Sequence, residues 1–327
     1  MTILVTGAAG FIGSHVAKAL LERGEEVLGI DNMNSYYAIA LKQARLARLT
    51  DNQHFHFIKG DIADRALIEE IGDALKEVTG VVHLAAQAGV RYSIENPYTY
   101  VDTNVMGQVV LLEAARRMPN LQHFVYASTS SVYGNNTKLP FSVDDRVDTP
   151  VSVYAASKKA GEMLSYCYAH LHRIPATGLR FFTVYGPWGR PDMAAYLFTD
   201  AIVHGRPIRV FNGGNMRRDF TYVDDIVAGV LAALDRPAPP DESGVRHRVF
   251  NLGNNNTEEL MRYIAIIEEA LGQKAVMQME PMQPGDVPAT YADIEASRRE
   301  LGFEPKTPIE IGLPRFVQWY KEYHGLV

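Results

Sequence analysis

Apolar residues in the first 185 positions come in short runs rich in β-formers, separated by longer stretches with helical spacing. Thr2–Thr6, Glu26–Ile30, Phe55–Lys59, Val81–Leu84, Leu121–Ser128 and Ala176–Phe182 read as strands. Ser14–Arg23, Arg65–Val78, Tyr98–Arg117 and Ser152–His172 read as helices. Strands alternating with helices predict an α/β fold with a doubly wound parallel sheet. After about residue 185 the pattern changes. Gly186–Met193 is turn-rich, Gly205–Phe211 reads as a turn and strand, and Arg217–Asp225 leads into a helix reaching Leu234. Pro237–Gly244 is a polar loop, and Thr257–Leu271 is an amphipathic helix capped at Asn256 or Thr257. The expectation is a first domain over 1–185 and a smaller mixed α/β substrate domain over 186–327, with about 222–252 returning to the sheet. No internal repeat or low-complexity segment interrupts this plan.

The first predicted strand runs into Gly7-Ala-Ala-Gly10-Phe-Ile-Gly13 and then a helix. Three glycines can mark only a turn. Between a strand and a helix they also read as a dinucleotide fingerprint of the Rossmann kind, with spacing G-x-x-G-x-x-G. Gly7 permits the tight turn, Gly10 lets backbone approach a pyrophosphate, and Gly13 lets helix and strand pack closely. The pyrophosphate would face free N–H groups at the helix N-terminus. Asp31 ends the second predicted strand, near the expected ~20 residues beyond the glycines. A carboxylate there accepts bonds from adenosine ribose hydroxyls and repels a 2′-phosphate, which predicts NAD rather than NADP.

Tyr154 and Lys158 stand four apart on a predicted helix and so project from one face. Alone, that pair can be a solvated helix face. Here a hydroxyl-rich strand end, Ala127-Ser-Thr129-Ser130-Ser131-Val-Tyr133-Gly134, precedes it. A phenol, an ammonium and a hydroxyl together can take a proton from an alcohol as hydride leaves the same carbon. A free tyrosine, with pKa near ~10, is about 0.1% ionised at pH 7. Bringing it to neutrality needs about 4 kcal/mol of preferential anion stabilisation, which a neighbouring ammonium and an oxidised nicotinamide can supply.

Bulk properties narrow the class. Net charge is −6 and the pI about 5.9, which argues against a nucleic-acid partner. Apolar content of 47% with 21% charge is ordinary for a globular chain. No apolar run approaches the ~20 residues of a membrane span, and the first residues read as a strand rather than a leader. The single cysteine, Cys167, forms no internal disulfide and is expected in the core of an amphipathic helix. A cytoplasmic enzyme is the resulting expectation. The ten histidines include His54/His56 and His170/His172, but no carboxylate or cysteine cluster completes a metal site. His83, at the end of an apolar strand, is expected as a satisfied core residue.

Taken together, the Gly7/Gly10/Gly13 turn, Asp31-Asn32, Gly60-Asp61, His83–Arg91, Asn104, the 127–134 stretch, Tyr154/Lys158 and Arg218-Asp219 resemble the extended short-chain dehydrogenase/reductase family along the whole chain. Within it the chain looks like the nucleotide-sugar 4-epimerases. Asp31–Tyr37 and Tyr185–Met193 resemble the branch acting on UDP-glucuronate. The resemblance implies C4 epimerisation through a transient 4-keto sugar, with tightly held NAD taking and returning the hydride. It casts Tyr154 as the group taking the O4 proton, Thr129 as a hydrogen-bonding partner of the reacting O4 that helps shuttle the proton, and Lys158 as electrostatic support and ribose ligand. For NAD it implies Gly7, Gly10, Phe11, Ile12, Gly13, Asp31, Asn32, Ser35, Asp61, Ile62, Leu84, Ala85, Ala86, Gln87, Asn104, Tyr154, Lys158 and Phe181.

The two residues after Thr129 bear on substrate chemistry. Related 4,6-dehydratases carry Asp-Glu there, and decarboxylases commonly a Glu; this chain has Ser130 and Ser131. Elimination therefore lacks its usual acid and base. A 4-keto uronic acid is a β-keto acid that loses CO₂ once its carboxylate is desolvated and turned perpendicular to the ketone. By resemblance, Ser130, Ser131 and Thr183 hold that carboxylate, with Arg91 a further contact. Arg218 and Arg190 are expected on the UDP diphosphate. Asp286 is expected on ribose or uracil, although Gln283 replaces the arginine that galactose epimerases often place nearby. A homodimer through the helices near 98–117 and 152–172 is a family-based expectation. A glucose/galactose epimerase, a decarboxylase and a non-catalytic NAD-binding protein remain open at this stage.

Overall fold

The computed structural model describes residues 1–283 and 286–326. Six strands, β1 (Thr2–Thr6), β2 (Glu26–Asp31), β3 (Phe55–Lys59), β4 (Val78–His83), β5 (His123–Thr129) and β6 (Ala176–Phe181), are joined by a seventh at His247–Leu252. All pair parallel, in the spatial order His247–Leu252, β6, β5, β4, β1, β2, β3. The chain winds outward from β1 to β3, then returns to β4 on the other side of β1. That reversal opens a crevice at the carboxyl ends of β1 and β4, where doubly wound sheets bind ligands. Smaller two-stranded pairs, Thr183–Tyr185 with Phe220–Tyr222 and Ile208–Phe211 with Met277–Glu280, build the opposite wall.

Several element boundaries differ from the sequence pattern. The predicted helix 65–78 is two short helices, Arg65–Glu70 and Gly72–Leu75, because β-branched Val78-Thr79 already belongs to buried β4. Neither Asn256 nor Thr257 caps the amphipathic helix expected over 257–271. Glu258–Glu259 instead pairs antiparallel with Arg217–Arg218, and the helix starts at Leu260. Cys167 is exposed rather than core. The reason lies in the helix Val153–His172, whose buried face carries Ser157, Lys158, Glu162 and Ser165 while Met163, Tyr166 and Leu171 face out. Among the helices with no counterpart in the sequence pattern are Ile39–Ala47, Ala194–Val203, Glu295–Leu301 and Ile309–Tyr323.

A buried polar network locks the strand ends together. Arg180 on β6 donates from Nε (2.8 Å) and Nη2 (3.0 Å) to the Glu162 carboxylate. Ser128 at the end of β5 donates to the same carboxylate at 2.7 Å. Arg180 Nη1 donates to the Tyr133 hydroxyl, which donates in turn to Asn251 on the seventh strand at 2.6 Å. Burial acts to raise the Glu162 pKa, but the Arg180 bonds and charge outweigh it and bring it to about 2. Replacing Glu162 by Gln leaves the Arg180 charge unanswered and should cost about 3–5 kcal/mol. In the wild type, this carboxylate adds stability above the ordinary glutamate pKa of ~4.3 and loses it as pH falls toward 2. Thermal unfolding from pH 6 to pH 2 should therefore show an acid-side decline that Glu162→Gln flattens.

Candidate active site

The crevice is a cleft of about 1000 Å³. Gly7, Gly10, Phe11, Ile12, Gly13, Asp31, Asn32, Ile62, Leu84, Ala85, Ala86, Gln87 and Phe181 line one side with Tyr154 and Lys158. Thr129, Ser130, Ser131, Thr183, Arg91, Arg190, Arg218 and Asp286 continue the lining. Three expected cofactor residues are not on the wall. Ser35 points outward in the exposed 34–35 turn. Asp61 is engaged by Asn32 Nδ2 (2.8 Å) and the Ala63 amide (2.9 Å). Asn104 is buried behind Gln87, accepting from its N–H at 2.8 Å, donating to its carbonyl at 3.0 Å, and donating to Ser157 at 2.9 Å. It sits in a single π-helical turn, Val101–Met106, and supports the wall from behind.

The glycine turn fits a dinucleotide. Gly7 has φ 73°, and the Gly10 N–H donates to its carbonyl at 2.8 Å. A Cβ on Gly13 would lie 2.0 Å from Gly7 O, so no other residue fits where helix and turn meet. The helix Phe11–Glu22 begins at Gly10 with no side-chain cap, leaving its first N–H groups for an anion in the cleft. Asp31 is buried, takes the Ala9 and Met33 amides at 3.2 and 2.8 Å, and lines the cleft. His83, beneath the turn, is buried and hydrogen-bonds Thr6 Oγ1 at 2.7 Å; burial pulls its pKa down to about 3. Among the described residues, no group of three His, Cys, Asp or Glu gathers to hold a metal.

At the far end of the cleft Tyr154 and Thr129 line the wall together. Thr129 also caps the turn Ser130–Tyr133 by accepting the Ser131 N–H at 3.2 Å. Burial raises the Tyr154 pKa above its ordinary value; the neighbouring Thr129 hydroxyl and then the Arg190 charge pull it back. Arg190, not Lys158, is thus the protein cation acting on the phenol. Lys158 is itself desolvated, its pKa lowered to about 8 by burial and supported only by Glu162 one turn on.

Arg190, expected with Arg218 on the diphosphate, lines the same cleft in an ion pair of its own. It forks with Asp192, which accepts from the Tyr36 hydroxyl at 3.2 Å. Arg218 instead donates to Asp286 at 2.6 Å and feels the charge of Arg91. Arg91 and Arg209 lie over the ring of Phe211 at 4.9 and 5.0 Å. Arg91, Arg209 and Arg218 therefore form the cationic wall. Arg209 and Phe211 had no motif to mark them, only their alternation within a strand; Asp192 lay within the Tyr185–Met193 stretch without a role assigned to it. Replacing Lys158 by Met should raise the thermal midpoint of the NAD-free protein at pH 7. The folded pKa near 8 lies below the unfolded ~10.4, so between these values the unfolded chain binds more protons and wild-type stability climbs with pH. Calorimetry at pH 7, 8.5 and 10 should show the gap between variant and wild type closing; an unchanging gap contradicts the burial cost.

Residues 3–253 match the model of the NAD dependent epimerase/dehydratase family. The chain is 48% identical to UDP-glucuronate 4-epimerase 2 of Arabidopsis thaliana over 334 residues, covering 99% of this chain and 76% of that protein. It is also 48% identical to Protein CapI of Staphylococcus aureus, covering 99% of each. Among solved structures it is similar to UDP-glucuronic acid 4-epimerase from Bacillus cereus in complex with UDP-glucuronic acid and NAD. That likeness has a TM-score of 0.90 and 35% identity, covering 99% of this chain and 100% of the other. The chain belongs to the NAD dependent epimerase/dehydratase family.

Proposed function

We propose that this protein interconverts UDP-glucuronate and UDP-galacturonate by inverting C4, with NAD retained between turnovers. One observation carries the reading. A single cleft gathers Tyr154, Thr129 and Lys158 with the neutral hydroxyls of Ser130, Ser131 and Thr183. Neither position after Thr129 offers an acid or base for water loss. The nearby carboxylate of Asp192 is held in the Arg190 fork, with its pKa lowered despite burial, so it stays ionised and has no proton to give.

When bound, NAD supplies the hydride acceptor and donor at C4. The chain's residues do the rest. Tyr154 Oη takes the proton from sugar O4 and gives it back, and Thr129 Oγ1 holds O4 in place. Lys158 binds the nicotinamide ribose. The Gly7–Gly13 turn and the helix start behind it hold the pyrophosphate, Asp31 the adenosine ribose, and Ile62, Leu84–Gln87 and Phe181 enclose the cofactor. Arg218 with Arg91 and Arg209 grips the substrate diphosphate, and Asp286 the nucleoside. Ser130, Ser131 and Thr183 fix the sugar carboxylate away from the torsion that releases CO₂. Residues 1–185, with the strand His247–Leu252, serve the cofactor, and most of 186–327 the nucleotide sugar.

An apolar face supports a homodimer. Tyr98, Val101 and Met106 on one helical stretch, and Met163, Tyr166 and Leu171 on the helix Val153–His172, are exposed. Such a patch suits a second copy. The single exposed Cys167 suits a reducing, cytoplasmic setting.

Purified protein given UDP-glucuronate without added NAD should form UDP-galacturonate, and a deuterium at C4 should stay on the product. Label lost to solvent would overturn the mechanism. Thr183→Ala should leak a UDP-pentose by decarboxylation, read by separating the products. Met163→Glu combined with Tyr166→Glu should shift the mass by light scattering from dimer to monomer.

A further inference from the structure

The helix Ile39–Ala47 turns cations inward. Lys42 and Arg45 are both buried, and Arg48 follows one turn later. Lys42 has an evident counterpart, lying 4.0 Å from the Asp31 carboxylate and donating to Asn34 at 2.8 Å. Arg48 lies over the Trp188 ring at 4.7 Å. Arg45 is different. Its side chain is 0% exposed, and it forms no ion pair among the described residues.

Every donor edge of Arg45 is used, but only on neutral acceptors. Nε and Nη2 donate to the Trp188 carbonyl at 3.1 and 2.7 Å, and Nη2 also reaches Gly189 O at 3.3 Å. Nη1 donates to Ala9 O at 3.2 Å and to the Tyr37 hydroxyl at 2.6 Å. The guanidinium is satisfied as a hydrogen-bond donor by neutral oxygens, and the one acid whose charge acts on it, Asp31, is shared with Lys42. A cation desolvated in this way is costly unless an anion sits near it. Burial accordingly pulls the Arg45 pKa below its usual value.

The geometry shows where the missing anion belongs. Ala9 lies inside the glycine turn, whose own N–H groups are paired, just ahead of the helix start at Phe11, where the first N–H groups are free for a pyrophosphate. The other bonds reach Trp188 and Gly189, immediately before Arg190 and Asp192. Trp188 has φ 64°, a left-handed conformation that a bulky residue rarely takes, and Arg45 binds its carbonyl twice. We infer that Arg45 is the buried counter-charge for the dinucleotide diphosphate, and that it ties the filling of the glycine turn to the loop carrying Arg190 and Asp192. This rests on the reading that the turn holds NAD. Arg45 touches no reacting atom; it is a positioning residue.

Wild type, Arg45→Met and Arg45→Lys are purified and compared in three measurements. These are NAD retained through gel filtration, the thermal midpoint with and without NAD, and proteolysis within 186–193 with and without NAD. Arg45→Met should lose NAD at least ~10-fold faster and show a much smaller NAD-induced rise in midpoint, its NAD-stripped form changing less than its filled form. Its loop should be cut equally with and without NAD, whereas NAD should protect the wild-type loop. Arg45→Lys keeps the charge and loses the fork, so its retention should fall in between; it carries the test if Arg45→Met does not fold. Wild-type retention in both variants overturns the inference, as does a midpoint drop of the same size with and without NAD. A wild type that binds no NAD overturns the reading of the turn, and the inference with it.

Discussion

The carboxylate of Glu162 is the constraint on which the cleft depends. It lies inside the protein, where an ionised acid survives only if every lone pair is answered. Arg180 answers from β6, Ser128 from the end of β5, and Lys159 from its own helix at 3.1 Å. Through Arg180 and Tyr133 the bonds extend to Asn251 on the seventh strand. One charge thus fixes two neighbouring strand ends and the helix that carries Tyr154 and Lys158. The separation between Thr129 and Tyr154 is inherited from this arrangement.

The chemistry above that frame is electrostatically incomplete by itself. Burial pushes Tyr154 toward the neutral phenol and Lys158 toward the neutral amine. The chain supplies Arg190 near the phenol, but Asp192 offsets part of its charge. The remaining positive charge is left to a ligand. A cation bound beside the phenol would favour its anion over the neutral form.

Legibility in the sequence followed the physics of each segment. The sheet was visible because buried parallel strands are continuous apolar runs, and the glycine turn because Gly13 has no room for a Cβ. Tyr154, Lys158 and Thr129 were legible through their spacing and order. The helix Ile39–Ala47 was not, because its inward positions include Lys42 and Arg45, and a pattern read from apolar residues takes such a face for solvent. The same inversion misplaced Cys167, since the buried face of its helix is polar. Arg190 carried the right charge, but only folding could show that it faces Asp192 and Tyr36 rather than Arg218. Asn104 lay in the right neighbourhood, one layer too deep.

The position of the seventh strand bears on how the chain is made. β6 finds its outer neighbour only in His247–Leu252, after the whole stretch from Thr183 to Arg246 has been synthesised. During translation β6 must wait as a bare hydrogen-bonding margin, open to any passing strand. A pause or nick within that stretch would strand an adhesive half-protein, so the segment that lines the sugar cleft also governs when the nascent sheet becomes safe from aggregation.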